Sequence, residues 1–124
     1  MSKDTLNNLK SKIKSFVQER DWAQFHSPKN LSMSIAIEAA ELMEHFQWAN
    51  SAEESKSVLK DKAKKTEIED EIADIAIYLI DFCNLYKIDL DKAIKTKIMK
   101  NVKKYPVELS KGKIGKYTMY QKGN

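Results

Sequence analysis

Apolar residues recur every three or four positions through most of this chain, the period of helices seated on a core. Leu6, Leu9, Ile13, Phe16 and Val17 predict a first helix from Thr5 to Arg20, with Asp4 as its N-cap. A second is expected from Leu31 to Gln47, a third from Thr66 to Tyr86, and a fourth from Leu90 to Lys104. Asp89 can cap the fourth, and Tyr105-Pro106 stops it. Its core face is read as Leu90, Ala93, Ile94, Ile98 and Val102, with Lys97, Asn101 and Lys104 on the other side. Between the first two helices, Asp21 to Asn30 breaks the period, contains Pro28 and gathers Trp22, Phe25 and His26. A loop so rich in rings does more than connect. Residues 50–66 are polar and Lys-rich, a short solvated helix or loop, and the sequence after Pro106, with all three glycines, reads as an extended arm.

The second and third helices are apolar nearly all round, which normally means burial. Yet each carries an acidic pair. At about 100° per residue, Glu38 and Glu41 share a stripe with His45, flanked by Leu31, Ile35, Ala39, Leu42 and Phe46 on one edge and Met33, Ile37 and Ala40 on the other. In the third helix Glu67, Glu71, Asp74 and Tyr78 form a similar stripe between Ile68, Ile72, Ile75, Leu79 and Phe82 on one side and Ile77 on the other. Two carboxylates about 5 Å apart, at an effective dielectric of about 20, repel by roughly 3 kcal/mol. Several such terms rival a domain's whole stability of about 5–15 kcal/mol. Either the acids do not converge, or a divalent cation neutralises them. An oxygen-only ligand set favours Mg²⁺ or Mn²⁺. Di-iron normally needs Glu-x-x-His, whereas the residue three before His45 is Leu42, and His26 and His45 form no zinc spacing with Cys83. No nucleophile, base and orienting group can be assembled locally, so covalent catalysis has no support.

With 124 residues, three Gly, two Pro and 32% charged side chains, the chain is expected to be one all-α, four-helix-type bundle. The single cysteine, Cys83, reads as a small core residue and rules out a disulfide within one chain. The N-terminal sequence lacks a secretory apolar run, and no run of about 18 apolar residues occurs, so a cytoplasmic, non-membrane protein is expected. The net charge of +4 is unevenly spread: residues 38–91 carry fourteen of the eighteen acids, residues 92–124 ten lysines and one acid, Glu108. That split suits an anionic ligand held between metal-bound carboxylates and lysines. It equally suits a basic tail that keeps the chain soluble. The alternative function is a non-enzymatic helical module whose basic tail binds nucleic acid, a partner otherwise not expected. Because the second and third helices are apolar on more faces than one small bundle covers, at least a homodimer is expected.

Several short motifs occur together: Glu19-Arg20-Asp21-Trp22 leading to Gln24-Phe25-His26, Glu38-x-x-Glu41, Phe46-Gln47-Trp48, Glu71-x-x-Asp74 continuing as Ile75-Ala76-Ile77-Tyr78-Leu79, and Lys97 through Asn101 to Tyr105-Pro106. Combined over about residues 6–110, they resemble the MazG-like all-α nucleoside triphosphate pyrophosphohydrolases, with the dCTP pyrophosphatases as the nearest branch. The resemblance implies a MazG-like four-helix bundle over residues 1–110, a basic C-terminal arm over 111–124, and a homotetramer built from dimers. It also implies conversion of NTP and water to NMP and pyrophosphate, with dCTP or a modified dCTP as substrate, in nucleotide-pool housecleaning. Mg²⁺, or Mn²⁺, would be held by Glu38, Glu41, Glu71 and Asp74, with Glu44 as an accessory acid. Trp22, His26, Trp48, Tyr78 and Asn101 would form the base pocket, with Lys97 and Tyr105 near the phosphates. One departure stands out: many relatives have a further Glu directly before the first pair, where this chain has Ile37.

The chemistry agrees with the residue types. Attack of water on a phosphorus crowded by anionic oxygens needs charge neutralisation and in-line positioning more than covalent help. Rings stack on nucleobases, and an Asn amide offers both a donor and an acceptor to a base edge.

Overall fold

In a computed structural model, residues 5–115 and Thr118 are described. They contain helices α1 (Leu6–Glu19), α2 (Pro28–Glu44), α3 (Ala52–Val58), α4 (Lys62–Leu85), α5 (Leu90–Lys104) and α6 (Val107–Ser110), with a 3₁₀ turn at Ala23–Phe25. No strand occurs among the described residues. The chain divides after Lys87 into two compact units, one containing α1 to α4 and the other α5 and α6.

Side chains fix where the helices begin. Ser27 Oγ accepts from the Asn30 amide at 3.1 Å, and Ser51 Oγ from Glu54 at 3.1 Å. Asp61 Oδ1 accepts from Ala63 at 2.9 Å, and Asp89 Oδ1 from Lys92 at 3.1 Å. Each such cap stabilises its helix by about 1 kcal/mol. These caps correct several expected boundaries. α1 is capped by Thr5, whose Oγ1 accepts from Asn8 at 3.2 Å, while Asp4 lies outside the described residues. α2 starts three residues earlier than Leu31, because Pro28 at its first turn needs no N–H partner and already has a helical φ. It ends at Glu44, before Gln47. α4 starts at Lys62, not Thr66, because Asp61 caps it. The polar stretch holds α3, and the segment after Pro106 opens with α6 where an extended arm was expected. Most of that arm lies outside the described residues.

In the first unit α4 packs along α2 and against α1. Val17, Leu31, Ile68, Ile80 and Cys83 are its buried apolar side chains. Asn84 Nδ2 donates to the Lys10 carbonyl at 3.1 Å, tying α4 to α1. Just beyond α4 and its C-cap Tyr86, Lys87 has φ 55°, a left-handed position that costs a side-chain-bearing residue about 1–2 kcal/mol relative to glycine. In the second unit α5 has the expected bounds, but Ile94, Ile98 and Val102, read as its core face, are all exposed. No helix among the described residues is long and apolar enough to cross a membrane.

Candidate metal and nucleotide site

Where α2 runs beside α4 the two acidic stripes do converge. One carboxylate oxygen each from Glu38, Glu71 and Asp74 lies within 4.8 Å of the others. Glu38 Oε2 and Glu71 Oε2 are shut off from solvent, and no donor group among the described residues reaches them, so only a proton on one carboxyl could link them. The pKa of Glu38 is raised from 4.5 to about 7, chiefly because its carboxyl can share a hydrogen bond with Glu71 only by holding a proton. Lost hydration, a hydrogen bond with Glu41 and the charges of Glu41 and Asp74 push the same way. Glu41 therefore stands beside Glu38 without joining the three-oxygen cluster. Orphaned oxygens, an oxygen-only donor set and unrelieved like charge fit a hard divalent cation.

Glu67, one turn before Glu71, is differently placed. Its carboxylate lies 3.6 Å from Lys64 Nζ, which gives it cationic company within the chain, and 3.9 Å from His45 Nδ1. Being on the same stripe is not enough to need a metal.

Beside the acids is a pocket of about 250 Å³ lined by Phe16, Val17, Trp22, His26, Asp74, Ile77, Tyr78 and Asp81. Asp74 belongs to both features. One wall is a ladder of rings: Phe16 and Trp22 meet edge to face at 5.5 Å, and Trp22 and His26 follow at 6.4 Å. The Arg20 guanidinium lies 3.9 Å over Phe16, covering the outer end of that ladder. The loop that carries these rings is pinned at several points. Gln24 Nε2 donates to the Asp21 carbonyl at 3.1 Å and to its carboxylate at 2.9 Å. Asn30 Nδ2 donates to the Phe25 carbonyl at 2.9 Å, and Tyr86 Oη donates to the His26 carbonyl at 2.6 Å. Facing the rings, Tyr78 is raised above its ordinary pKa by burial first and then by the charges of Glu38, Asp74, Asp81 and Glu41. It remains a neutral phenol, able to donate a hydrogen bond.

Of the residues singled out in the sequence, Trp22, His26 and Tyr78 thus gather beside Glu38, Glu71 and Asp74. Trp48 does not line this pocket and is 82% exposed. Glu44 is also exposed, in a shallow depression with Met43, Phe46 and Gln47. Lys97, Asn101 and Tyr105 lie in the second unit, exposed on or just beyond α5. The Lys97 ammonium is held below its ordinary pKa, first by the charge of Lys104.

Asp81 is the residue that sequence reading missed. It is 2% exposed, and its Oδ2 lies 2.6 Å from His26 Nδ1. The signal was available, since Glu67, Glu71, Asp74, Tyr78 and Asp81 continue one stripe by alternating steps of four and three.

Residues 33–118 match the MazG-like family. The chain is 36% identical to the dCTP pyrophosphatase 1 of Rattus norvegicus over 119 residues, covering 96% of this chain and 69% of that protein. It is 32% identical to the Homo sapiens dCTP pyrophosphatase 1 over 114 residues, covering 92% and 66% respectively. A solved pyrophosphatase from Archaeoglobus fulgidus superposes with a TM-score of 0.78 at 42% identity, covering 86% of this chain and 96% of that one.

Proposed function

The chain belongs to the MazG-like family, and from that premise we propose that it is a nucleoside triphosphate pyrophosphohydrolase, converting NTP and water to NMP and pyrophosphate. The observation that carries this reading is the sharing of Asp74 between a carboxylate cluster and a ring-lined pocket. A triphosphate drawn to the first would bring its base to the second.

Mg²⁺ is the cation proposed for Glu38, Glu71 and Asp74, with Glu41 alongside; when bound, it supplies charge neutralisation for the anionic phosphate oxygens. Water forms a bond to the α-phosphorus and gives up a proton to the surrounding water, the bond from that phosphorus to the oxygen bridging to the β-phosphorus breaks, and its electron pair leaves with pyrophosphate. The Trp22 and His26 rings offer a stacking edge, and the Tyr78 hydroxyl offers a donor. The proposed substrate is dCTP or a modified dCTP, supported by the likeness to dCTP pyrophosphatases. The same likeness supports base reading by Asn101 and phosphate contacts by Lys97 and Tyr105. A role in cytoplasmic nucleotide housecleaning follows from it as well.

A homo-oligomer, as a dimer of dimers, is also proposed. Met33 and Ile37 are exposed one turn apart on α2, and Ile72 and Leu79 two turns apart on α4, a surface that a second copy would cover. Trp48, uncovered within its own chain, would serve such an interface or complete a pocket from it.

The activity is tested by screening the common NTPs and dNTPs for pyrophosphate release with and without Mg²⁺. Metal-dependent release of NMP and pyrophosphate, highest with dCTP, is expected. Orthophosphate with NDP as products, or no metal dependence, would sink the reading. Sedimentation tests the assembly, and a stable monomer at micromolar concentration would count against it.

A further inference from the structure

Asp81 has no role in anything proposed so far, yet it is the one buried charged side chain among the described residues. It lies on α4 between Ile80 and Phe82, where an apolar residue would suit the surrounding core. A buried carboxylate loses hydration that an apolar side chain of the same volume never had, so it seldom stabilises a fold by itself. Its place at the pocket wall calls for another explanation.

Asp81 Oδ2 and His26 Nδ1 are 2.6 Å apart and shut off from solvent; the contact is closer than it is well aligned, and among the described residues neither atom makes a well-formed hydrogen bond to any group. Two lone pairs could not face each other at that distance, so a proton lies between them. A carboxylate set against one ring nitrogen is the usual setting for an N–H on that nitrogen, which assigns the proton to Nδ1. The imidazole is also held through its own backbone, since the His26 carbonyl accepts from Tyr86 Oη. Its ring therefore has one heteroatom left for a ligand, Nε2, in a residue that lines the pocket.

We infer that Asp81 is a positioning residue that fixes His26 as its Nδ1–H tautomer, so that Nε2 acts as a hydrogen-bond acceptor for the exocyclic amino group of a bound base. Cytosine presents an amino donor at that edge; uracil and thymine present a carbonyl oxygen, which would meet Nε2 lone pair to lone pair. The buried carboxylate thereby contributes to discrimination between amino and keto pyrimidines without touching the substrate. The base-reading part rests on the pyrophosphohydrolase reading above, whereas the tautomer does not.

The ring is read directly by long-range ¹⁵N–¹H NMR on the full chain at neutral pH. Wild type should show His26 protonated at Nδ1 with Nε2 bare, and Asp81→Asn should lose that single-tautomer pattern. A wild-type ring protonated at Nε2, or at both nitrogens, overturns the inference even if Asp81→Asn does not fold. Kinetically, Asp81→Asn should lower the kcat/KM preference for dCTP over dUTP by on the order of tenfold, mainly through KM for dCTP. If Asp81 acts through His26, adding Asp81→Asn to His26→Ala should erode that preference no further. An unchanged preference in folded Asp81→Asn also overturns it. A wild-type chain that hydrolyses no triphosphate would refute the activity and the base reading, leaving the spectrum to decide the tautomer.

Discussion

Asp74 and Asp81 lie two turns apart on the same helix, both lining the same pocket, and have opposite electrostatic surroundings. Asp81 is buried and faces His26, so its charge is answered within the chain. Asp74 faces Glu38 and Glu71, which only add to its charge. The difference separates two uses of an acid, one buried and one open to solvent. A carboxylate with an internal partner holds that partner in place; carboxylates gathered without one create a demand that an outside cation meets. Glu67 refines the contrast, because it continues the acidic stripe yet is answered by Lys64.

The largest expected effect comes from removing an unanswered acid. Glu71→Gln should lower pyrophosphate release by on the order of a hundredfold or more, since it deletes a proposed metal ligand in a reaction that needs charge neutralisation. Glu67→Gln on the same stripe should change it less than about twofold, because surface pairs of this kind are worth only about 0–1 kcal/mol. Equal losses in both variants would erase the distinction between answered and unanswered acids.

Next in size is the answered pair. His26→Leu leaves Asp81 buried without a partner and should lower unfolding stability by roughly 3 kcal/mol. Combining it with Asp81→Leu should recover most of that loss, because the buried charge goes too. Chemical denaturation of both variants checks this. A double variant no more stable than His26→Leu would mean that the pair is not what satisfies Asp81.

A smaller effect separates the two settings by pH. Glu38 has a folded pKa raised from 4.5 to about 7, so between those values the folded state binds more protons than the unfolded one. Stability of the metal-free protein should therefore be greatest, as far as this group decides it, below about pH 4.5 and decline as pH rises through about 7. Saturating Mg²⁺ should flatten or reverse the decline, because it binds the ionised form. Melting temperatures at several pH values, with Mg²⁺ and with a chelator, provide the measurement. Identical profiles with and without metal would remove the cation from the cluster.

Much of the acidic centre was legible because its signal is local: carboxylates at i and i+3 on helices otherwise apolar mark Glu38, Glu41, Glu71 and Asp74 before any fold is known, and the fold draws Glu38, Glu71 and Asp74 of these into one cluster. The neighbouring loop was half legible. Its concentration of rings marks it as more than a connection, but Ser27-Pro28, which interrupts the apolar period, is a cap and a first helical position. Asp81 was lost for a different reason. A single acid next to Ile80 reads as a blemish in an apolar stretch until its partner, 55 residues earlier in sequence, is brought to 2.6 Å. The exposure of Ile94, Ile98 and Val102 was beyond the reach of periodicity, which gives the apolar face of a helix without saying what covers it.

The smallest expected effects fall on α5, where like charge is crowded in the opposite sense. Lys97 is held below its usual pKa chiefly by Lys104, as Glu38 is held above its own by neighbouring acids, but Lys97 is exposed and water screens much of the repulsion. An anionic ligand would relieve it only modestly. Lys97→Ala should therefore weaken dCTP, dUTP and dTTP alike, by a few-fold in kcat/KM at low salt and less at high salt. Asn101, one turn further along the helix, carries an amide suited to a base edge rather than to phosphate. Asn101→Ala should change the ratio among the three substrates and respond little to salt. Kinetics for both variants at two salt concentrations separate the roles. A salt-independent loss in Lys97→Ala would take it off the phosphates, and an unchanged base ratio in Asn101→Ala would take it off the base.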